Sequence, residues 1–158
     1  MNPPGGANPA SRRFLAGKTV FVTGGTGFLG GHLVEALIDA GCTSVRCLVR
    51  SDRKWLDGLP VEIVAGDLSD HPALDRGVQG ADVVFHVAAL TRARTWEAFE
   101  RANVVGTARL LNAVAESGTG SVRVVLTSSL AVVGDTDATV ADESTPLNPV
   151  SMYGRSKR

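Results

Sequence analysis

One stretch constrains the fold of this chain more than any other: Thr19-Val20-Phe21-Val22-Thr23-Gly24-Gly25-Thr26-Gly27-Phe28-Leu29-Gly30. Its β-branched, apolar opening predicts a buried strand. The strand runs straight into glycines, and then into Phe28, Leu29, Leu33, Val34, Leu37 and Ile38 at helical spacing, with Gly41 as the stop. A passage this short from strand to helix demands a sharp turn, which Gly24 permits. Gly27 leaves the backbone bare toward a ligand, and Gly30 lets helix and strand approach closely. The helix opens with unpaired N–H groups and the positive end of its dipole, a natural seat for phosphate. A glycine turn without a ligand is the alternative; the strand–turn–helix context favours the phosphate site.

The alternation continues along the chain. Apolar runs at Val45–Val49, Val61–Ala65, Ala81–Val87 and Val122–Leu126 predict four more strands. Helical spacing predicts a short helix over Pro72–Val78 and a long one from about Thr95 to Glu116, with Phe99, Val104, Ala108, Leu111 and Ala115 on its inner face. Asp135–Pro149 is polar and proline-containing, so it predicts a loop, and a last helix starts near Ser151. Alternating strands and helices give an α/β fold, a Rossmann-type doubly wound parallel sheet of strand order 3-2-1-4-5. At 158 residues this is one domain, 17–158. Residues 1–16 hold three of the seven prolines and no sustained apolar run. They read as a disordered tail rather than a secretory signal.

Sixteen basic residues balance sixteen acidic ones, which gives nucleic acid no electrostatic footing. No apolar stretch reaches membrane-spanning length without a charge, so neither a membrane partner nor a membrane location is expected. Cys42 and Cys47 lack metal-ligand spacing. They predict small packed side chains in a reducing, cytoplasmic compartment, with no disulfide and no metal.

The glycine spacing is Gly-x-x-Gly-x-x-Gly. It is followed in order by Gly66-Asp67-Leu68, His86-Val87-Ala88-Ala89, Asn103-Val104-Val105-Gly106-Thr107, Thr127-Ser128-Ser129 and Tyr153-Gly154-Arg155-Ser156-Lys157. With these motifs the chain resembles the extended branch of the short-chain dehydrogenase/reductase superfamily, which includes NAD-dependent epimerases and dehydratases and dihydroflavonol reductase-like proteins. The resemblance implies a nicotinamide dinucleotide and a small-molecule substrate, and leaves a homodimer open for a longer parent. Gly24, Thr26, Gly27, Phe28, Leu29 and Gly30 are then the cofactor turn. Asp67 and Leu68 are placed at the adenine, although Asp67 could equally cap the next helix. Ala88 and Ala89 are small where strand four passes the cofactor. His86 reads as a packed structural histidine. Asn103 is implied to lie beneath the active site, near the lysine.

Strand two ends Leu48-Val49-Arg50-Ser51, without the acid that accepts from the ribose hydroxyls of NAD. Arg50 suits a 2′-phosphate, which favours NADP, with NAD as the alternative if Arg50 is only a solvated charge. Tyr153 and Lys157 stand four apart, on one helix face. A tyrosine phenol ordinarily gives up its proton near pH 10, and an adjacent ammonium favours the phenolate. By resemblance Ser129, five residues before Gly134, holds the substrate oxygen, with Ser128 and Thr127 as runners-up. The Asp-Glu pair of sugar-nucleotide dehydratases is absent; Leu130 and Ala131 stand there. Val133 replaces a tyrosine common in epimerases, so an NADP(H)-dependent oxidoreductase is favoured over an epimerase. The resemblance also implies later strands and a C-terminal substrate domain beyond Arg158. The chain is therefore expected to be a partial domain that leaves strand five as an apolar edge, and to bind dinucleotide with little or no turnover.

Overall fold

The computed structural model describes residues 8–118, 120–136 and 140–158. Five strands form one sheet: β1 Thr19–Thr23, β2 Ser44–Val49, β3 Glu62–Ala65, β4 Val83–His86 and β5 Arg123–Leu126. All pairings are parallel, and the order is β3-β2-β1-β4-β5, as the alternation predicts. The chain reverses its direction of travel between β1 and β4, so a crevice opens beyond their C-terminal ends.

Side chains of successive strand residues point to opposite faces, and the two cores follow that rule. Val20, Val22, Val45, Cys47 and Val49 pack under helix α2, Phe28–Asp39. Phe21, Leu48, Val64 and Val84 meet α3, His71–Val78, and α5, Gly106–Glu116. β1 is buried on both faces, as a central parallel strand must be. At the β5 edge, Val125 and Leu126 stay about half exposed, which agrees with the expected apolar edge.

Two expectations need correction. Residues 9–15 are not a disordered tail: Pro9–Leu15 forms helix α1. Asn8 caps it by accepting the Ser11 N–H, and Pro9 fits the first turn. Leu15 is buried in the α2-side core, Arg12 donates to the Asp39 carbonyl, and Arg123 stacks on Phe14. The anchors are all distant in sequence, so local composition does not announce them. Residues 1–7 and 137–139 of the expected tail and loop lie outside the described residues.

The long helix is interrupted and presents a different face. It runs as α4, Trp96–Phe99, a π-helical segment over Glu100–Val105, and then α5. Phe99, Asn103, Gly106, Leu110 and Ala113 face inward, whereas Val104, Ala108, Leu111 and Ala115 are exposed. Contact shape decides this, not hydropathy. Gly106 lets Leu68 come close, since a Cβ there would stand 3.0 Å from Leu68 Cδ1. Helix α6, Met152–Lys157, starts at Ser151, whose hydroxyl accepts the Gly154 N–H.

Candidate functional site

The crevice is a cleft of about 900 Å³, within the range of ligand sites. It gathers the sequence-predicted cofactor residues into three regions. At one end lie Arg50, Asp67 and Leu68, beyond β2 and β3. The middle is lined by Gly24, Thr26, Gly27, Phe28, Leu29 and Gly30, with Ala88 and Ala89 beside them. Tyr153 and Lys157 of α6 line the cleft with Thr127 and Ser128.

The glycine turn is a tight backbone object. Gly24 has φ +80°, in the left-handed region, and a Cβ on it would stand 2.6 Å from Ala88 N. A Cβ on Gly30 would overlap the Gly24 carbonyl. Gly27 is different: an added Cβ would meet only Gly24 O, at 3.2 Å. It faces open space, where a phosphate can approach the α2 N-terminus.

Trp55, which the sequence did not single out, supports this turn. Its Nε1 donates to the Gly25 carbonyl at 3.3 Å, and its ring fills the space a Cβ on Gly31 would need. The neighbouring Lys54 adopts φ +51°, unusual for a side-chain-bearing residue. The one available signal is Gly31 itself, a second glycine directly after Gly30.

At the far end of β3, Asp67 Oδ1 accepts from the Ser69 N–H and hydroxyl, at 2.7 and 2.5 Å. These bonds hold its carboxyl below the usual carboxylate range, and Arg50 and Arg109 act in the same direction. Capping of α3 falls instead to Asp70, which accepts the Ala73 N–H. Asp67 thus stays charged and faces the cleft.

A buried polar relay ties the strands to the helices. Ala88 N–H donates to Thr23 Oγ1, whose hydroxyl hydrogen then goes to His86 Nδ1, 2.6 Å away. His86 Nε2–H donates to Thr107 Oγ1 at 2.9 Å, and Thr107 donates to the Asn103 carbonyl. Every hydrogen in this chain has one place, and His86 is neutral with its proton on Nε2. Burial pushes its pKa down to about 4, and the charge of Lys157 adds to the effect. His86 is the packed structural histidine that the sequence predicts.

Asn103 joins three pieces. Its Oδ1 accepts Leu90 N–H at 2.7 Å, and its Nδ2 donates to Leu90 O and to Ser156 Oγ at 2.9 and 2.8 Å. Ser156 precedes Lys157, so the clamp does hold the lysine's surroundings. Two ring contacts reinforce it: Phe99 meets Tyr153 at 6.1 Å between centroids, and Arg155 stacks 4.6 Å over Trp96. Burial lowers the Lys157 pKa. Ser129 lies one residue beyond the lining Thr127 and Ser128, and its hydroxyl accepts the Ala131 N–H at 3.2 Å. Ser128 donates to the Lys157 carbonyl at 3.2 Å.

The residues present fit a nicotinamide dinucleotide. The bare Gly27 cradle and the α2 N-terminus suit a pyrophosphate, Asp67 suits an amino group, and the cleft is long enough to reach Tyr153. The sheet order and the glycine turn at its switch point place the protein in the Rossmann class. Sequence comparison narrows this. The profile of the NAD dependent epimerase/dehydratase family matches residues 20–158, and the chain belongs to that family, within the extended short-chain dehydrogenase/reductase superfamily.

Among its relatives is a 4-hydroxy-2-methyl-3-oxo-4-farnesyl-3,4-dihydroquinoline-1-oxide ketoreductase of Stigmatella aurantiaca, 41% identical over 87% of this chain and 42% of that protein. A ceramide reductase of Caulobacter vibrioides is 48% identical over 71% of this chain and 35% of its own length. The solved UDP-glucose-4-epimerase from Stenotrophomonas maltophila, with bound NAD, superposes with a TM-score of 0.78 at 28% identity, over 89% of this chain and 45% of that one. The chain thus spans less than half the length of these relatives. No helix among the described residues is long and apolar enough to cross a membrane.

Proposed function

We propose that this chain is the cofactor-binding part of an NADP(H)-dependent oxidoreductase, acting between a carbonyl and a secondary alcohol of a small-molecule substrate. The observation that carries the reading is one continuous cleft with Arg50 at its adenosine end and the Tyr153–Lys157 pair of α6 along its wall. β2 ends on Arg50 rather than an acid, with Asp52 further on, and Arg50 presents a guanidinium suited to a 2′-phosphate. Bound here, the reduced nicotinamide supplies the hydride. Tyr153 gives the proton to the carbonyl oxygen, and Lys157, one turn on, favours the phenolate left behind. Ser129 holds that oxygen through its hydroxyl, with Ser128 and Thr127 as the runners-up. The reductases among the relatives support this direction; the NAD-bound epimerase is the rival, for both reaction and cofactor.

Calorimetric titration of the chain with NADPH and NADH tests the cofactor. NADPH is expected to bind more tightly, and Arg50→Ala to weaken NADPH by roughly ten- to hundredfold while sparing NADH. Tighter NADH binding by the unaltered chain would sink the assignment. In a full-length parent, Tyr153→Phe should abolish carbonyl reduction while leaving cofactor affinity intact.

A further inference from the structure

We propose that Arg101 is a second phosphate grip, holding the dinucleotide's pyrophosphate from across the cleft. The inference rests on the reading of the cleft as a dinucleotide site. No sequence motif singled Arg101 out.

β1 leads into α2 on one face of the sheet, while β4 leads into α4, the π-helical segment and α5 on the other. The crevice at the switch point therefore has two walls. One carries the glycine turn and the α2 N-terminus. The other carries the segment after β4 and the start of the π-helical segment, where Leu90, Thr91, Arg101 and Ala102 line the cleft. Asn103 fixes that wall, because its amide brackets both backbone groups of Leu90. Arg101 thus stands exposed on a fixed segment and lines the same cleft as the glycine turn.

Charge points the same way. Arg50, Arg101, Arg109 and Lys157 line the cleft, against the single carboxylate of Asp67. Arg50 and Arg109 both act on Asp67 and so belong to the adenosine end. Lys157 belongs with Tyr153. Arg101 is the remaining cation, and among the described residues no ion pair ties up its guanidinium. The glycine turn offers only N–H groups and a helix dipole to a doubly charged pyrophosphate. A guanidinium on the opposite wall completes the neutralisation with bidentate geometry.

The test is calorimetric titration of Arg101→Gln and Arg101→Ala against NADPH, NADH and adenosine 2′-monophosphate. Pyrophosphate is common to both coenzymes and missing from the mononucleotide. Both coenzymes should therefore weaken together by roughly ten- to hundredfold, with a shallower salt dependence, while the mononucleotide binds as before. Arg101→Lys should recover part of the loss. The retained mononucleotide affinity also shows that the variant is folded. Unchanged binding of both coenzymes, as expected if Arg101 serves an anionic substrate instead, overturns the proposal. A loss confined to NADPH also overturns it, since that places Arg101 at the 2′-phosphate. An unaltered chain that binds neither coenzyme overturns the dinucleotide reading, and this inference with it.

Discussion

His86 makes a quantitative test of the buried relay. The side chain is 1% exposed, and its pKa is pushed from 6.5 to about 4. The folded value lies below the unfolded one, so on acidification the unfolded chain takes up the proton first. The stabilisation is fully present above about pH 6.5 and is lost as the pH falls toward 4. Over that window the chain should lose about 3 kcal/mol through this one group. That is a large share of the roughly 5–15 kcal/mol typical of a domain. Other groups also titrate, so the comparison needs a variant that keeps the hydrogen bonds. His86→Gln offers an oxygen to Thr23 and an N–H to Thr107 without a proton to gain. Urea unfolding followed by circular dichroism at pH 7, 6, 5 and 4 should give a flatter stability curve for the variant, by about 3 kcal/mol across the range. The low carboxyl pKa values of Asp67, Asp82 and Asp142 contribute to both proteins and cancel. Parallel curves, or a His86 ring resonance titrating near 6.5, would refute the reasoning.

Two further outcomes follow from contacts described above. Gly30→Ala drives a Cβ into the Gly24 carbonyl, where backbone cannot yield; it should cost on the order of 3 kcal/mol by thermal denaturation and abolish coenzyme binding. Asn103→Ala leaves the Leu90 backbone and Ser156 without their partner, and should lower stability by roughly 2–3 kcal/mol, read as an earlier urea midpoint with an unchanged slope. A wild-type midpoint in either case would contradict the packing described.

Much of this architecture is legible in the sequence because central parallel strands leave a strong local trace. Val20 and Val22 must suit one core while Phe21 suits the other, so β1 reads as continuous apolar residues. The glycine turn is equally plain, since no other residue fits where Gly24 and Gly30 stand. The long helix misleads for the opposite reason. Its inner face uses Asn103 and Gly106, chosen for hydrogen bonding and close approach, while Val104 and Leu111 remain outside. Apolar periodicity cannot see a polar clamp or a missing side chain. Trp55 and Arg101 escape notice because their roles depend on partners in other elements. Ser129 shows the limit of a motif: sequence order fixes its place after β5, but not the bond its hydroxyl accepts from the Ala131 N–H.

The π-helical segment has a consequence for how this region can change. Its ladder closes one residue late, as the Gly106 N–H reaches back to the Arg101 carbonyl. Deleting a single residue between 100 and 105 would restore regular α-helical bonding and improve the local backbone energy. It would also rotate everything upstream by about 100° relative to α5. Phe99 and Trp96 would swing away from α6, and the cleft wall would lose its guanidinium. Local comfort and site geometry therefore oppose each other here. Apart from Arg101 and Asn103, the segment should accept substitutions yet tolerate almost no change in length, so its residue count shapes the site as much as those two side chains do.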